Sequence, residues 1–301
     1  MSAQLATLTT IVSEITLALH PILIKQIPTN LSTQLVSRLG IYSALALALS
    51  SQQDRIWTWG SSGNVLQSLA LGFMNLVHIA ASYLSYKLLP AGSALALFYT
   101  FPFMNILVGI LFLGDTLDLK IIPLMIIAFI GVLLIAKYTK DGNGKDKEDK
   151  EDKENKENKE DTRDSVLLGV MVSLLAAATE TMIFLVGKSS ESPFVSILRL
   201  YPVAFLGILG WVFMKGEPIS TESSVWIPMI LFNVVIGFIG YALRFFSIPR
   251  LPTAFFSMLT FIGVAAGYMW GVVYAKEIPS AGALTGAALI TGSLGILRYL
   301  K

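Results

Sequence analysis

Ten stretches of about twenty predominantly apolar residues follow one another along the chain. They lie near 5–25, 33–51, 65–87, 91–113, 119–138, 165–187, 193–214, 224–246, 252–274 and 279–299. A helix needs that length to cross the hydrocarbon core of a bilayer, and most connections between the stretches are under ten residues. Of the 301 residues 54% are hydrophobic and 14% charged, and the charges are concentrated in one place. Residues 141–164 hold seven of the 22 Lys and Arg and 11 of the 20 Asp and Glu. The rest is too apolar to present a hydrated surface all round. The expectation is an all-α, multi-pass integral membrane protein of ten transmembrane helices, in the cell membrane or an endomembrane.

The 141–164 segment has no apolar residue and alternates Lys with Asp, Glu and Asn. It cannot bury a core and reads as a charged flexible linker between a first unit, 1–140, and a second, 165–301. The two units repeat each other. A shift of 162 lays Pro90 on Pro252 and Asp115 on Glu277, and a shift of 161 lays Arg38 of LVSRLG on Arg199 of SILRLY. Five spans per unit is an odd number, so consecutive copies enter the membrane upside down relative to each other. Inverted repeats of this kind are a transporter architecture with the substrate site near the midplane, where the halves meet.

The segment ALALFYTFPFMNILVGILFLGD, followed by IIPLMIIAFIGVLLI, resembles the EamA domain of the drug/metabolite transporter superfamily. LPTAFFSMLTFIGVAAGYMWGVVYAKEIPSAGALTGAALITGSLGIL resembles the end of that domain's second copy. The resemblance covers the chain outside the linker. It implies ten helices, a central cavity lined mainly by the first four of each half, and the fifth of each packing outside. One position departs from the repeat: the residue matching Pro102 is Val264.

Pro102 interrupts a helix and is read as a hinge, with Thr100 or Tyr99 supplying the hydrogen bond it breaks. In the matching ninth stretch Gly263, Gly267 and Gly271 recur every four residues, which predicts close packing or sliding in place of a bend. Gly282 and Gly286 form a similar packing pair. In the third stretch Ser68, Gly72, Asn75, His78, Ser82 and Ser85 fall on one helical face. In the eighth, Asn233, Gly237, Gly240 and Arg244 do the same. The two stripes are expected to face each other as walls of a water-accessible cavity.

Glu14 and Glu180 lie mid-span in the first helix of each half. An ionised carboxylate there costs at least about 2.5–3.5 kcal/mol, which makes each a functional-site candidate. It is protonated, paired with Arg244, or placed to hold a substrate ammonium group. His78 is either an interhelical hydrogen-bond partner or a proton shuttle; His20, before Pro21, is the other histidine. With Tyr99 and Tyr241, the candidate substrate-binding or coupling set is Glu14, Asn75, His78, Ser82, Tyr99, Glu180, Tyr241 and Arg244. Arg38 and Arg199 are read as architectural, snorkelling to the interface. Asp115 and Glu277 are read as favouring the N-terminus of the helix that follows each, with Pro279 in the first turn of the last.

The chain has no cysteine, no G-x-S-x-G, no P-loop and no HExxH. No enzyme activity, cofactor or metal is expected, and no basic, aromatic-interleaved stripe marks a nucleic-acid partner. The expected partners are a small-molecule metabolite and the lipid bilayer, with a homodimer left open. A secondary transporter of a small polar organic metabolite, by exchange or with a proton, fits best. The alternative is a non-transporting assembly or scaffold protein, which would have no use for buried charges. The distribution of Lys and Arg argues for a cytosolic 141–164 segment, whereas the resemblance implies cytosolic termini and an external one.

Overall fold

The computed structural model describes residues 3–20, 27–89, 91–116, 118–138, 157–190, 192–274 and 280–297, and among them every regular element is helical. In chain order these are α1 (Ala3–Leu17), α2 (Leu31–Leu49), α3 (Gln52–Trp59), α4 (Ser62–Leu88), α5 (Ala91–Phe98), α6 (Phe101–Leu113) and α7 (Ile121–Tyr138). After them come α8 (Glu157–Lys188), α9 (Pro193–Lys215) and α10 (Ser223–Leu231). A π-helical segment, Phe232–Phe238, leads into α11 (Ile239–Ser247), then α12 (Thr253–Thr260), α13 (Ile262–Tyr274) and α14 (Ala281–Leu297). Pro21, Pro90, Glu277, Pro279 and residues 141–156 lie outside the described residues.

Among the described residues, seven spans are long and apolar enough to cross a membrane. They are Ser62–Leu88, Ser93–Leu113, Ile121–Tyr138, Ser165–Lys188, Pro193–Lys215, Ser223–Arg250 and Thr253–Tyr274. They match the third to ninth expected stretches, and the chain is an all-helical membrane protein. Helices α1, α2 and α14 occupy the positions of the first, second and tenth.

Helix ends follow local chemistry. Asn30 caps α2 by accepting from the Thr33 amide at 2.8 Å, and Ser51 and Asp54 form a reciprocal capping box on α3. Gly114 (φ 68°) and Gly216 (φ 63°) end α6 and α9 in the left-handed conformation, which a side chain would oppose. One boundary departs from the sequence reading. Helix α8 begins at Glu157, so the last eight residues of the segment read as a flexible linker are helical. Lys and Glu are good helix formers, and the apolar helix that follows supplies the nucleus they extend.

At Pro102 the expected break is present. The helix stops after Phe98, restarts at Phe101, and carries the proline in its first turn, where the missing N–H is not needed. The Thr100 hydroxyl donates to the Leu97 carbonyl at 2.7 Å, one residue before the Phe98 carbonyl whose helical donor Pro102 removes. The ninth stretch is broken too, contrary to the expectation of a sliding helix. Helices α12 and α13 part at Phe261, 162 residues after Tyr99, and Thr260 donates to the Ser257 carbonyl at 2.7 Å. A hydroxyl competing for a carbonyl three residues back loosens a helix without proline.

Helices α7 and α14 pack on each other. A Cβ on Gly131 would lie 2.5 Å from the Gly286 carbonyl oxygen, and one on Gly286 would lie 2.5 Å from that of Gly131. Only glycine permits this approach. Gly282, the other half of the expected packing pair, makes room for the Tyr138 ring.

The polar stripes of α4 and of the α10–α11 rod are buried, as their periodicity requires, but they do not serve as facing walls. Helix α4 lies against α8 and α9, and the α10–α11 rod lies against α1 and α2. Gly72 meets Val203 of α9, whereas Gly240 meets Leu17 of α1. Asp115 also has a partner different from the one anticipated. It accepts a hydrogen bond from the Thr253 hydroxyl at the start of α12, a helix end without a side-chain cap of its own.

Candidate functional site

Four of the candidate residues come from four different helices and form one continuous chain of contacts. Glu14 of α1 places Oε1 3.3 Å from Nε of Arg244 on α11. Arg244 Nη1 lies 2.5 Å from Oε1 of Glu180 on α8. The other carboxylate oxygen of Glu180, Oε2, is 3.2 Å from Nε2 of His78 on α4. Glu14 is 4% exposed, Glu180 2%, Arg244 7% and His78 4%. Phe101 and Phe256 cover the Arg244 guanidinium, with ring centroids 5.5 and 6.0 Å away, so the charges meet in an aromatic, water-poor setting.

The far side of the imidazole fixes its tautomer. His78 Nδ1 is 3.1 Å from the Ala176 carbonyl and 3.0 Å from the Thr179 hydroxyl oxygen. A carbonyl can only accept, and Thr179 gives its own proton to the Leu175 carbonyl at 2.8 Å. Nδ1 therefore carries the hydrogen. A neutral His78 then turns the bare lone pair of Nε2 toward a carboxylate oxygen. Two acceptors 3.2 Å apart repel, and one further proton, on either His78 or Glu180, turns the contact into an attraction.

The remaining candidates divide. Tyr99 belongs to the network's edge: its ring is held by Phe98, Phe101 and Phe261 at 5.5 to 6.2 Å between centroids. A Cβ on Gly263 would meet its hydroxyl at 2.5 Å and Glu14 Oε2 at 3.2 Å. Because the packed ring cannot retreat, Gly263→Ala is expected to push the Tyr99 hydroxyl away from Glu14. The expected outcome is a destabilisation of about 1–3 kcal/mol from overpacking, read by thermal unfolding. Asn75 and Ser82 stand apart from the ion pairs. Asn75 donates to the Leu200 carbonyl at 3.1 Å, and Ser82 donates back to the His78 carbonyl at 2.8 Å.

Tyr241 belongs to a second cluster that the sequence reading did not assemble. Its hydroxyl accepts from Arg38 Nη2 at 3.1 Å, and the Arg38 guanidinium lies 5.3 Å from the Tyr241 ring and 5.6 Å from the Tyr42 ring. Tyr201 stacks on Tyr42 at 4.8 Å between centroids. Arg38 is 6% exposed, so it does not snorkel. Its helix continues for eleven residues beyond it, and Tyr42 of the same helix with Tyr83, Tyr201 and Tyr241 of three neighbouring helices close over its head before it can reach an interface. Arg199 is no more exposed, at 4%, and its guanidinium lies 5.6 Å from the ring of the half-exposed Trp57 of α3. The signal in the sequence for the second cluster is the i, i+4 pair Arg38 and Tyr42, which share a helix face.

A cavity of about 280 Å³ lies elsewhere, where the end of α6 meets the start of α12, with Asp115, Asp118 and Thr253 in its wall.

No family model matches the chain. It is similar to an uncharacterized transporter, YxxF, of Bacillus subtilis (strain 168), at 22% identity over 252 residues, which cover 82% of this chain and 74% of that protein. A solved structure described only as the crystal structure of a protein shares the fold with a TM-score of 0.75 at 13% identity, over 99% of both chains.

Proposed function

We propose that the chain is a secondary transporter of the EamA type within the drug/metabolite transporter superfamily. In this reading ten helices form two inverted five-helix repeats, 1–140 and 165–301, joined by the 141–164 segment. They move a small polar organic metabolite by alternating access together with a proton. The similarity to a protein named as a transporter and the seven apolar helices support transport in general, and no enzymatic chemistry is called for.

The packing supports the inverted repeat. Helix α4, the third span of its half, lies on the first two spans of the other half, and the α10–α11 rod does the same in return. The fourth and ninth spans break at positions 162 apart, the same offset that aligns Pro90 with Pro252. The last helix of each half pairs with its counterpart through Gly131 and Gly286.

The observation that carries the coupling is the 3.2 Å contact between His78 Nε2 and Glu180 Oε2, two acceptors that attract only with a proton between them. The network crosses between the halves at both ends, from Glu14 on α1 to Arg244 on α11 and from Glu180 on α8 to His78 on α4, while the Arg244–Glu180 pair lies within the second half. Any rocking of one half against the other must therefore break it and expose the proton. Around Glu180 the charged and titratable groups are His78 and Arg244, with Glu14, Tyr241, Tyr99 and Tyr201 farther out.

The test is counterflow in liposomes against a pooled metabolite mixture. Uptake of at least one component is expected, and none at all from a well-folded sample would favour a scaffold. Glu180→Gln should leave a residual rate that no longer varies between about pH 5.5 and 8, while Glu14→Gln keeps a pH dependence. A pH profile unchanged in both variants would remove the proton from this network.

A further inference from the structure

The geometry points to an oxyanion subsite at Arg38 and Tyr42, and hence to a substrate that is a small organic anion bearing a carboxylate or phosphate group. The inference rests on the transporter reading and specifies what that site takes.

The argument begins with charge. Among the described residues, Glu14 and Glu180 share Arg244, and the one proton that the transporter reading places between His78 and Glu180 brings that network to neutrality. Arg38 stands outside this balance. The titratable groups facing its guanidinium are Tyr42 on its own helix, Tyr83 on α4, Tyr201 on α9 and Tyr241 on α11, with His20 and His78 farther out. None is a carboxylate. Phenol oxygens and ring faces soften a buried guanidinium, but they do not neutralise it. A buried cation without a counter-ion is costly, and membrane proteins retain such groups where a ligand or pathway uses them.

Hydrogen bonding gives the same answer independently. Arg38 Nε and the Tyr42 hydroxyl are both buried without a hydrogen-bond partner. They lie four residues apart on one helix face, so they form two donors that a single oxyanion can bridge. The position of the hydroxyl is constrained from outside, because it occupies the space where a Cβ of residue 237 would stand, and that residue is glycine. Tyr42, Tyr201, Tyr241, Phe238 and Phe245 form contiguous ring contacts around it, a wall suited to the apolar body of such an anion. Tyr42 is fully buried here, so the anion enters when the halves part. Bound together, one anion and one proton leave the buried cluster neutral.

The experiment uses the full chain in liposomes and measures counterflow of separate labelled pools: monocarboxylates, phosphate monoesters, amino acids, primary amines and neutral sugars. One of the two anion pools should exchange, and which one does so separates carboxylate from phosphate. Arg38→Lys, which keeps the charge but loses the planar donor fork, should lower the rate at sub-saturating anion at least tenfold. Tyr42→Phe, which removes a hydroxyl with no protein partner, should lower it several-fold at an unchanged unfolding midpoint, and it carries the test if the Arg38 variant does not fold. Exchange confined to amino acids, amines or sugars would overturn the inference while transport stands, as would anion rates that Tyr42→Phe leaves unaltered. Silence of every pool would overturn the transporter reading and this site with it.

Discussion

Arg244→Leu is expected to destabilise the folded chain by about 3–5 kcal/mol, the usual cost of removing one partner from buried ion pairs. Leucine keeps the first part of the apolar stem but leaves empty the place of the guanidinium beside Phe101 and Phe256, so part of the loss is packing. The larger part comes from leaving Glu14 and Glu180, 4% and 2% exposed, without their shared cation. Adding Glu14→Gln and Glu180→Gln on the leucine background should therefore restore most of the stability. An uncharged network of similar shape is often as stable as the ion pairs it replaces. Arg244→Lys should fall between the two, since an ammonium cannot present two separate nitrogens to two carboxylates. Unfolding midpoints of the purified variants in one detergent check the series. Transport should be lost in the leucine variant and stay lost in the rescued triple variant, which separates the charge's role in function from its role in folding. A leucine variant as stable as the parent, or a triple variant no better than the single one, would mean that Arg244 is not the common counter-ion.

Much of this network was legible in the sequence because burying a charge in lipid has few excuses. Glu14, His78, Glu180 and Arg244 stand out as ionisable residues in apolar stretches, and the structure brings all four together. Periodicity also located the buried faces of α4 and of the α10–α11 rod. What periodicity cannot give is the partner of a face. The two stripes were matched by the internal repeat and so expected to oppose each other, whereas each lies on the first two spans of the other half. Arg38 was misread for a related reason. Snorkelling depends on what surrounds the head group, and three of its four tyrosines are 45 or more residues away in sequence. The break at Phe261 went unseen because it has no proline, and it depends on a threonine hydroxyl competing within its own turn. Asp115 shows the limit of local rules, since its helix-end chemistry serves α12 of the other half instead of the helix that follows it.

Gly131→Ala and Gly286→Ala are expected to destabilise by similar amounts, about 1–3 kcal/mol each, while Gly292→Ala on the same α14 should stabilise slightly, by up to about 1 kcal/mol. The three substitutions add one methyl group to a helix, so propensity alone would give them the same sign. Environment separates them. A Cβ at 131 would meet the Gly286 carbonyl oxygen and the Ile290 amide, and a Cβ at 286 would meet the Gly131 carbonyl oxygen and the Ile135 amide. The Ile290 and Ile135 side chains, with Cγ1 at 2.8 and 3.0 Å, can rotate aside, but the carbonyl oxygens belong to regular helices and cannot, so the two axes must move apart along their length. A Cβ at 292 meets nothing within 4 Å. Because both harmful methyl groups open the same gap, the Gly131→Ala, Gly286→Ala pair should cost less than the two single costs combined, the non-additivity expected of residues in contact. If α7 and α14 form a fixed seam while the other helices rock, the alanine variants should lose stability without altering which substrates compete for uptake. A change in substrate preference would instead place the seam within the moving parts, and equal midpoints for all three variants would mean that the backbones do not approach there at all.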